Sequence, residues 1–190
     1  LIVKQTCRIL KGEAKLKNGF VFLSLITILF ASNGIAKEVR KLDGLNIYSP
    51  AFKNNGHIPE KYTCDGQDFN PPILIRNVPQ RAKSLALIVD DPDAPAGTWV
   101  HWVVWNIPPG SKEIRENSVP QNARQGINDF GKHEYGGPCP PPGTHRYFFK
   151  LYALDSLPDL DTNATKADLE KAMAGHIIEE AQTIGLYKRR

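Results

Sequence analysis

This chain lacks the usual signatures of several protein classes. Its longest apolar run, Phe20–Ala31, is about 12 residues, against the roughly 20 that a bilayer-spanning helix needs. Three cysteines occur, none in a Cys-x-x-Cys pair, and no His-Glu-x-x-His is present, so no established metal-ligand spacing appears. No Gly-x-Ser-x-Gly nucleophile elbow occurs either. There is no internal repeat and no low-complexity tract, which argues against solenoids and flexible linkers. What the chain does have is turn residues. Fifteen prolines and fifteen glycines among 190 residues fit a loop-rich β-protein better than a helix bundle.

The first 36 residues read as a leader. Lys4, Arg8, Lys11, Lys15 and Lys17 precede the apolar run, with Glu13 the one acid among them. Ser32-Asn33-Gly34-Ile35-Ala36 follows, with small residues at the −3 and −1 positions for cleavage after Ala36. Positive segment, short apolar segment and small-residue segment make a signal-peptide pattern. The expectation is export to the periplasm or beyond the cell, with an uncleaved membrane anchor as the alternative. Residues 37–190 are then a single domain. Setting the leader aside leaves 19 basic and 19 acidic residues. The formal charge of +4 thus belongs to the leader, and no basic patch remains for nucleic acid. Cys7 leaves with the leader. Cys64 and Cys139 are then an even pair in an oxidising compartment, either bonded or two reduced thiols.

Several β-runs follow. Leu45–Tyr48 and Ile73–Val78 are short strands. Ser84–Val89 is continuously apolar, as expected of a strand buried on both faces. Trp99–Ile107 is rich in β-branched and aromatic residues, and the aromatic-rich His145–Leu154 is the last strong strand. The tail reads as helical: Thr165 is an N-cap with Asp168 three residues on. Leu169, Met173 and Ile177 then form an apolar stripe, Gly175 interrupts the helix and Gly185 ends it.

The chemistry gathers in two stretches, Asp90–His101 and Gly136–Tyr147. Each joins a rigid Pro/Gly turn to an aromatic strand carrying one histidine. By strand alternation, His145 and Tyr147 share a face, as do Trp99 and His101, while Arg146 and Trp102 point the opposite way. Imidazolium, phenol and backbone N–H groups are all donors, and converging donors suit a phosphate- or carboxylate-sized anion. Asp91 and Asp93 complicate this, because ionised carboxylates repel an anion. They either accept from a cationic or hydroxyl part of the ligand or orient a histidine. A zwitterionic headgroup meets both demands. Asp93 reads as structural, Arg146 as a carboxylate partner, and His57, His133 and His176 as surface or structural.

Taken in order, these motifs resemble the phosphatidylethanolamine-binding protein family, in its bacterial and archaeal Raf-kinase-inhibitor-like branch. The motifs are Asp91-Pro92-Asp93-Ala94-Pro95, His101-Trp102, and Gly143-Thr144-His145-Arg146-Tyr147. The wider wording agrees at Tyr62–Gly66, Gln125–Gly131, Gly137–Pro141 and Gly185–Arg189. The resemblance implies a mainly β, antiparallel sandwich-like fold with a few peripheral helices, one of them C-terminal. It implies a ligand pocket of Asp91, His101, Pro141, His145 and Tyr147, walled by Ala94, Pro95, Trp99 and Cys139. It implies binding rather than catalysis, with no cofactor and no metal. The expected partner is a small anion or phospholipid headgroup, and a homodimer is expected by analogy only. Cys139 stands where animal members usually have Gly, and the tail after Gly175 is short, so the animal kinase-binding role is not carried over. The competing readings are a protease or signalling-protein inhibitor acting through its surface, a hydrolase using a metal held by His101, His145, Asp91 and Asp93, and a hydrolase using Cys139 with His145.

Overall fold

The computed structural model describes residues 44–189; the leader pattern, Cys7 and the cleavage site after Ala36 lie outside them. In chain order the strands are β1 Asn46–Tyr48, β2 Gly56–His57, β3 Ile73–Arg76, β4 Ser84–Asp91, β5 Trp99–Ile107, β6 Glu113–Ile114, β7 Arg124–Gln125, β8 His145–Leu154 and β9 Ile177–Tyr187. One α-helix, α1, spans Lys166–Met173, and a single 3-10 turn covers Glu60–Tyr62.

The strands form two sheets. The smaller has the order β1-β3-β6 and the larger β2-β9-β8-β4-β5-β7. Pairing is antiparallel except for the two-residue β2–β9 ladder. Ile47, Ile73, Ile75 and Ile114 of the small sheet meet Leu85, Leu87, Val89, Phe149 and Leu151 of the large one in the main core. On the other face of the large sheet, Ala86, Ile88, Val103 and Trp105 pack with Leu169 and Met173 of α1. β4 lies between these layers and is buried at all eight positions, as its unbroken apolar run demands.

The tail departs from the sequence reading. Thr165 caps α1 and Asp168 completes a reciprocal capping box, as its spacing implies. The helix nevertheless stops at Met173, and Gly175 turns the chain at φ +79°. Beyond it Ile177, Ile178, Thr183 and Ile184 are β-branched. This segment forms β9, paired with β8 from His145↔Tyr187 to Leu154↔Ile177. Ile177 is therefore exposed and leaves the stripe that Leu169 and Met173 keep. His176 sits in the turn, its Nδ1 2.8 Å from Asp155, rather than on a helix. Four strands lie beyond the sequence pattern: β2, β6 and β7 are only two residues long, and β9 occupies a tail whose pattern predicts helix.

A second departure lies in β5. Val89 pairs with Trp102 but Asp90 pairs with Val100, so His101 is an extra residue, a β-bulge. The bulge breaks strict alternation. Val100 and Val103 face α1 while Trp102 joins the main core with Tyr147. Trp102 thus lies on the side of the sheet that carries His101, contrary to the alternation rule.

Cys64 and Cys139 are joined, with Sγ–Sγ 2.06 Å. Their bond closes a loop across 75 positions. Replacing both cysteines with alanine is expected to cost about 4 kcal/mol in the chain-entropy model, read by urea unfolding. Leu169→Ala, at a fully buried helix position, is expected to cost about 3 kcal/mol by cavity formation, read the same way.

Candidate functional site

β4 ends where β8 begins and β5 enters, and a cavity of about 220 Å³ opens there. Asp91, Ala94, Pro95, Trp99, His101, Cys139, Pro141, His145 and Tyr147 all line it, and the structure adds Phe130 and Pro140. A larger hollow of about 430 Å³ lies elsewhere, bordered by Lys150, Tyr152 and Glu180. It gathers no buried imidazole, so the smaller cavity is the chemically developed one.

The β4–β5 turn is built by its own side chains. Asp91 Oδ1 accepts the Asp93 N–H at 2.8 Å, an Asx-type turn. Asp93 reaches across to β8, accepting from Arg146 N and Nε at 2.9 Å and from Nη2 at 2.6 Å. The Arg146 guanidinium holds the Asp93 carboxyl down at about 2. Asp93 and Arg146 thus clasp the two strands, the structural roles read from the sequence.

Asp91 carries the other link. Its Oδ2 accepts from Nδ1 of His145 at 2.7 Å, with both side chains nearly buried. The carboxylate that looked hostile to an anion is committed to a turn and an imidazole. Its function is to orient the His145 ring and fix which nitrogen faces the cavity.

His101 is oriented differently. The bulge frees its backbone from the β4 ladder, and its carbonyl accepts instead from Gly136 N at 3.0 Å and Asn128 Nδ2 at 3.2 Å. Its Nδ1 lies 2.6 Å from the Gly136 carbonyl. Burial pushes the His101 imidazole pKa below its usual value, outweighing the Gly136 carbonyl and nearby carboxylates. The ring meets Tyr147 and Phe130 edge-on, with centroids 5.2 and 5.3 Å apart. Tyr147 is buried, and burial, then the charge of the nearby Asp91 carboxylate and its pull on the phenol hydrogen, push its pKa far up; the hydroxyl nonetheless sits outside good hydrogen-bonding geometry to any partner. The phenol is therefore a proton donor at any working pH.

The far wall is the 136–143 loop. Gly137 N donates to Asp68 Oδ1 at 2.7 Å, Cys64 N to the Pro138 carbonyl at 3.1 Å, and the disulfide lies between these bonds. Phe130 is held by Asn128, whose Oδ1 accepts from Phe130 N and Lys132 N. A Cβ on Gly136 would lie 2.5 Å from the Phe130 ring, so any larger residue there displaces the ring from the cavity wall. Sequence reasoning missed Phe130 and Asn128 because neither sits on a strand. The Gln125–Gly131 wording was their one available signal.

The sequence profile of the family described as phosphatidylethanolamine-binding protein matches residues 48–188. The chain belongs to the phosphatidylethanolamine-binding protein family. A UPF0098 protein of Methanothermobacter thermautotrophicus is 52% identical over 150 residues, covering 76% of this chain and 99% of that protein. One of Pyrococcus horikoshii is 43% identical over 190 residues, covering 96% of each. Among solved structures, a phosphatidylethanolamine-binding protein homologue of Chlamydia trachomatis superposes with a TM-score of 0.75 at 40% identity, covering 78% of this chain and 99% of that one. The E. coli protein YbcL, described as a member of the mammalian family, gives 0.73 at 30% identity, covering 77% and 99%. Membership confirms the mainly β fold and points to a binding protein.

The Asp93–Arg146 clasp is half exposed. Asp93→Asn is expected to cost about 0.5–1 kcal/mol at neutral pH. Because the folded carboxyl pKa is depressed, this stabilisation is present above about pH 4 and is lost as pH falls through about 2. Thermal melts of the two proteins should converge at that acid end.

Proposed function

We propose that this chain is an exported binding protein whose cavity holds a phosphate- or carboxylate-sized oxyanion, free or as part of a phospholipid headgroup, and that it does not turn its ligand over. The observation that carries the reading is a cavity lined by two imidazoles, His101 and His145, and by Tyr147, whose buried hydroxyl has no partner in hydrogen-bonding geometry. A buried hydroxyl left without a partner costs free energy, and an oxyanion oxygen accepting from it removes that cost. Apolar walls of Trp99, Phe130, Pro140 and Pro141 strengthen such a bond by excluding water.

The hydrolase readings find less support. Cys139 is consumed in the disulfide, which removes the thiolate a cysteine mechanism needs. Among the described residues no three His, Cys, Asp or Glu side chains are grouped to hold a metal ion. Export is supported by the leader pattern and by a disulfide of the kind that persists in oxidising compartments. Among the described residues no helix is long and apolar enough to cross a membrane.

Titration with inorganic phosphate, followed through the His101 and His145 imidazole NMR signals, tests the proposal. Saturable shifts in both rings are expected. Tyr147→Phe should weaken binding about tenfold, the value of one hydrogen bond to a charged group, while the unliganded protein melts no lower than the parent. A Phe variant that binds phosphate as tightly as the parent would sink the reading.

A further inference from the structure

Three polar side chains line the cavity, His101, His145 and Tyr147: the two rings are held through Nδ1, which leaves Nε2 as the other ring nitrogen of each, and the buried Tyr147 hydroxyl has no partner in hydrogen-bonding geometry. Their polarities differ. The Tyr147 phenol donates. His145 gives Nδ1–H to the Asp91 carboxylate, and its Nε2 donates when the ring is charged. His101 is bound by a stricter rule, because the partner of its Nδ1 is the Gly136 carbonyl. A carbonyl only accepts, so Nδ1 carries the hydrogen in either charge state. In the neutral ring Nε2 is therefore a lone pair.

The groups facing this ring come from every element around it: Asp90 and Asp91 from β4, Asp129 from the 128–132 loop, and His145 and Tyr147 from β8. The carboxylates favour the charged ring, but burial outweighs them. At neutral pH the cavity thus combines an obligatory donor, Tyr147, with an acceptor, His101. A ligand matching both must accept at one oxygen and donate from another.

Resting on the reading of this cavity as an oxyanion site, we propose that it selects oxyanions carrying a hydroxyl of their own, and that His101 is the selecting residue. Inorganic phosphate keeps a P–OH at neutral pH, and a phosphomonoester keeps one in its monoanion. Sulfate, with the same tetrahedral shape, has none. A phosphodiester has none either, which includes the phosphate inside an intact phospholipid. At Nε2 of neutral His101 these ligands would set lone pair against lone pair, leaving a buried acceptor unsatisfied. The favoured ligand is a free phosphate, or a phosphomonoester taken up as its monoanion, rather than a headgroup still attached to its lipid.

Calorimetric titration of the protein with inorganic phosphate, sulfate and glycerophosphoethanolamine, a soluble phosphodiester, tests this at about pH 7.5. Phosphate should bind at least about tenfold more tightly than sulfate or the diester. His101→Gln, whose amide can donate or accept, should abolish the preference. If that variant does not fold, the affinities of the parent protein for the three ligands decide alone. Equal affinities for phosphate and sulfate overturn the inference and leave the oxyanion site standing. No binding of any of the three overturns the site as well.

Discussion

A bulge in a central strand leaves backbone groups that must be satisfied elsewhere, and here that demand falls on the 128–137 segment. Gly136 answers from both sides: its N–H goes to the His101 carbonyl, and its carbonyl takes the His101 ring N–H. Asn128 supplies a second donor to the same carbonyl and folds its own loop around the remaining oxygen. One irregularity in β5 thus recruits a loop, and the loop brings Phe130 against Trp99 and His101. The cavity wall, the ring orientation and the tautomer all follow from satisfying that bulge. Were β5 regular, Trp102 would lose its place in the main core and His101 would have no reason to face Gly136.

The end of β4 shows how little sequence separates structure from site. Asp90 and Asp91 are neighbours with opposite duties. Asp90 is fully buried and holds Lys150 at 2.8 Å and Lys166 at 2.6 Å, fixing the start of α1 to the sheet. Asp91 holds His145 at the cavity. A buried carboxylate is tolerable only when its partners are good, and two ammonium groups meet that requirement for Asp90. The strand end is therefore rigid on the helix side, which keeps Asp91 in place on the other.

Strands β4 and β5 were legible because their apolar and β-branched runs are long, and β8 because Tyr147, Phe148, Phe149 and Tyr152 make it rich in aromatics. The nine expected lining residues were legible through the resemblance of their motifs to the family; the residues alone showed only that Pro and Gly turns sit beside two aromatic strands, each carrying one histidine. β9 was not: Glu179, Glu180 and Gln182 are good helix formers, and the four-residue spacing from Leu169 to Ile177 continues a true helical stripe. What decides β9 is its partner, since β8 offers a full-length edge with inward-facing Phe149 and Leu151. Tertiary pairing overrides propensity there. The bulge at His101 was equally hidden, because it is a relation between two strands.

The last long strand also governs when the fold can close. β8 carries His145 and Tyr147, and its outer neighbour along its whole length is β9. β9 in turn reaches back to the start of the domain: Ile184 N meets Asn54 Oδ1 across 130 positions, and Leu45 N meets Glu179 across 134. Contacts of such sequence separation form late, since the chain entropy they cost must be met before they return anything. The strand that positions the site therefore has β4 on one side but keeps its other edge open until β9 has been synthesised. A ribosome or a translocation channel holding residues 177–187 would hold back the cavity with them.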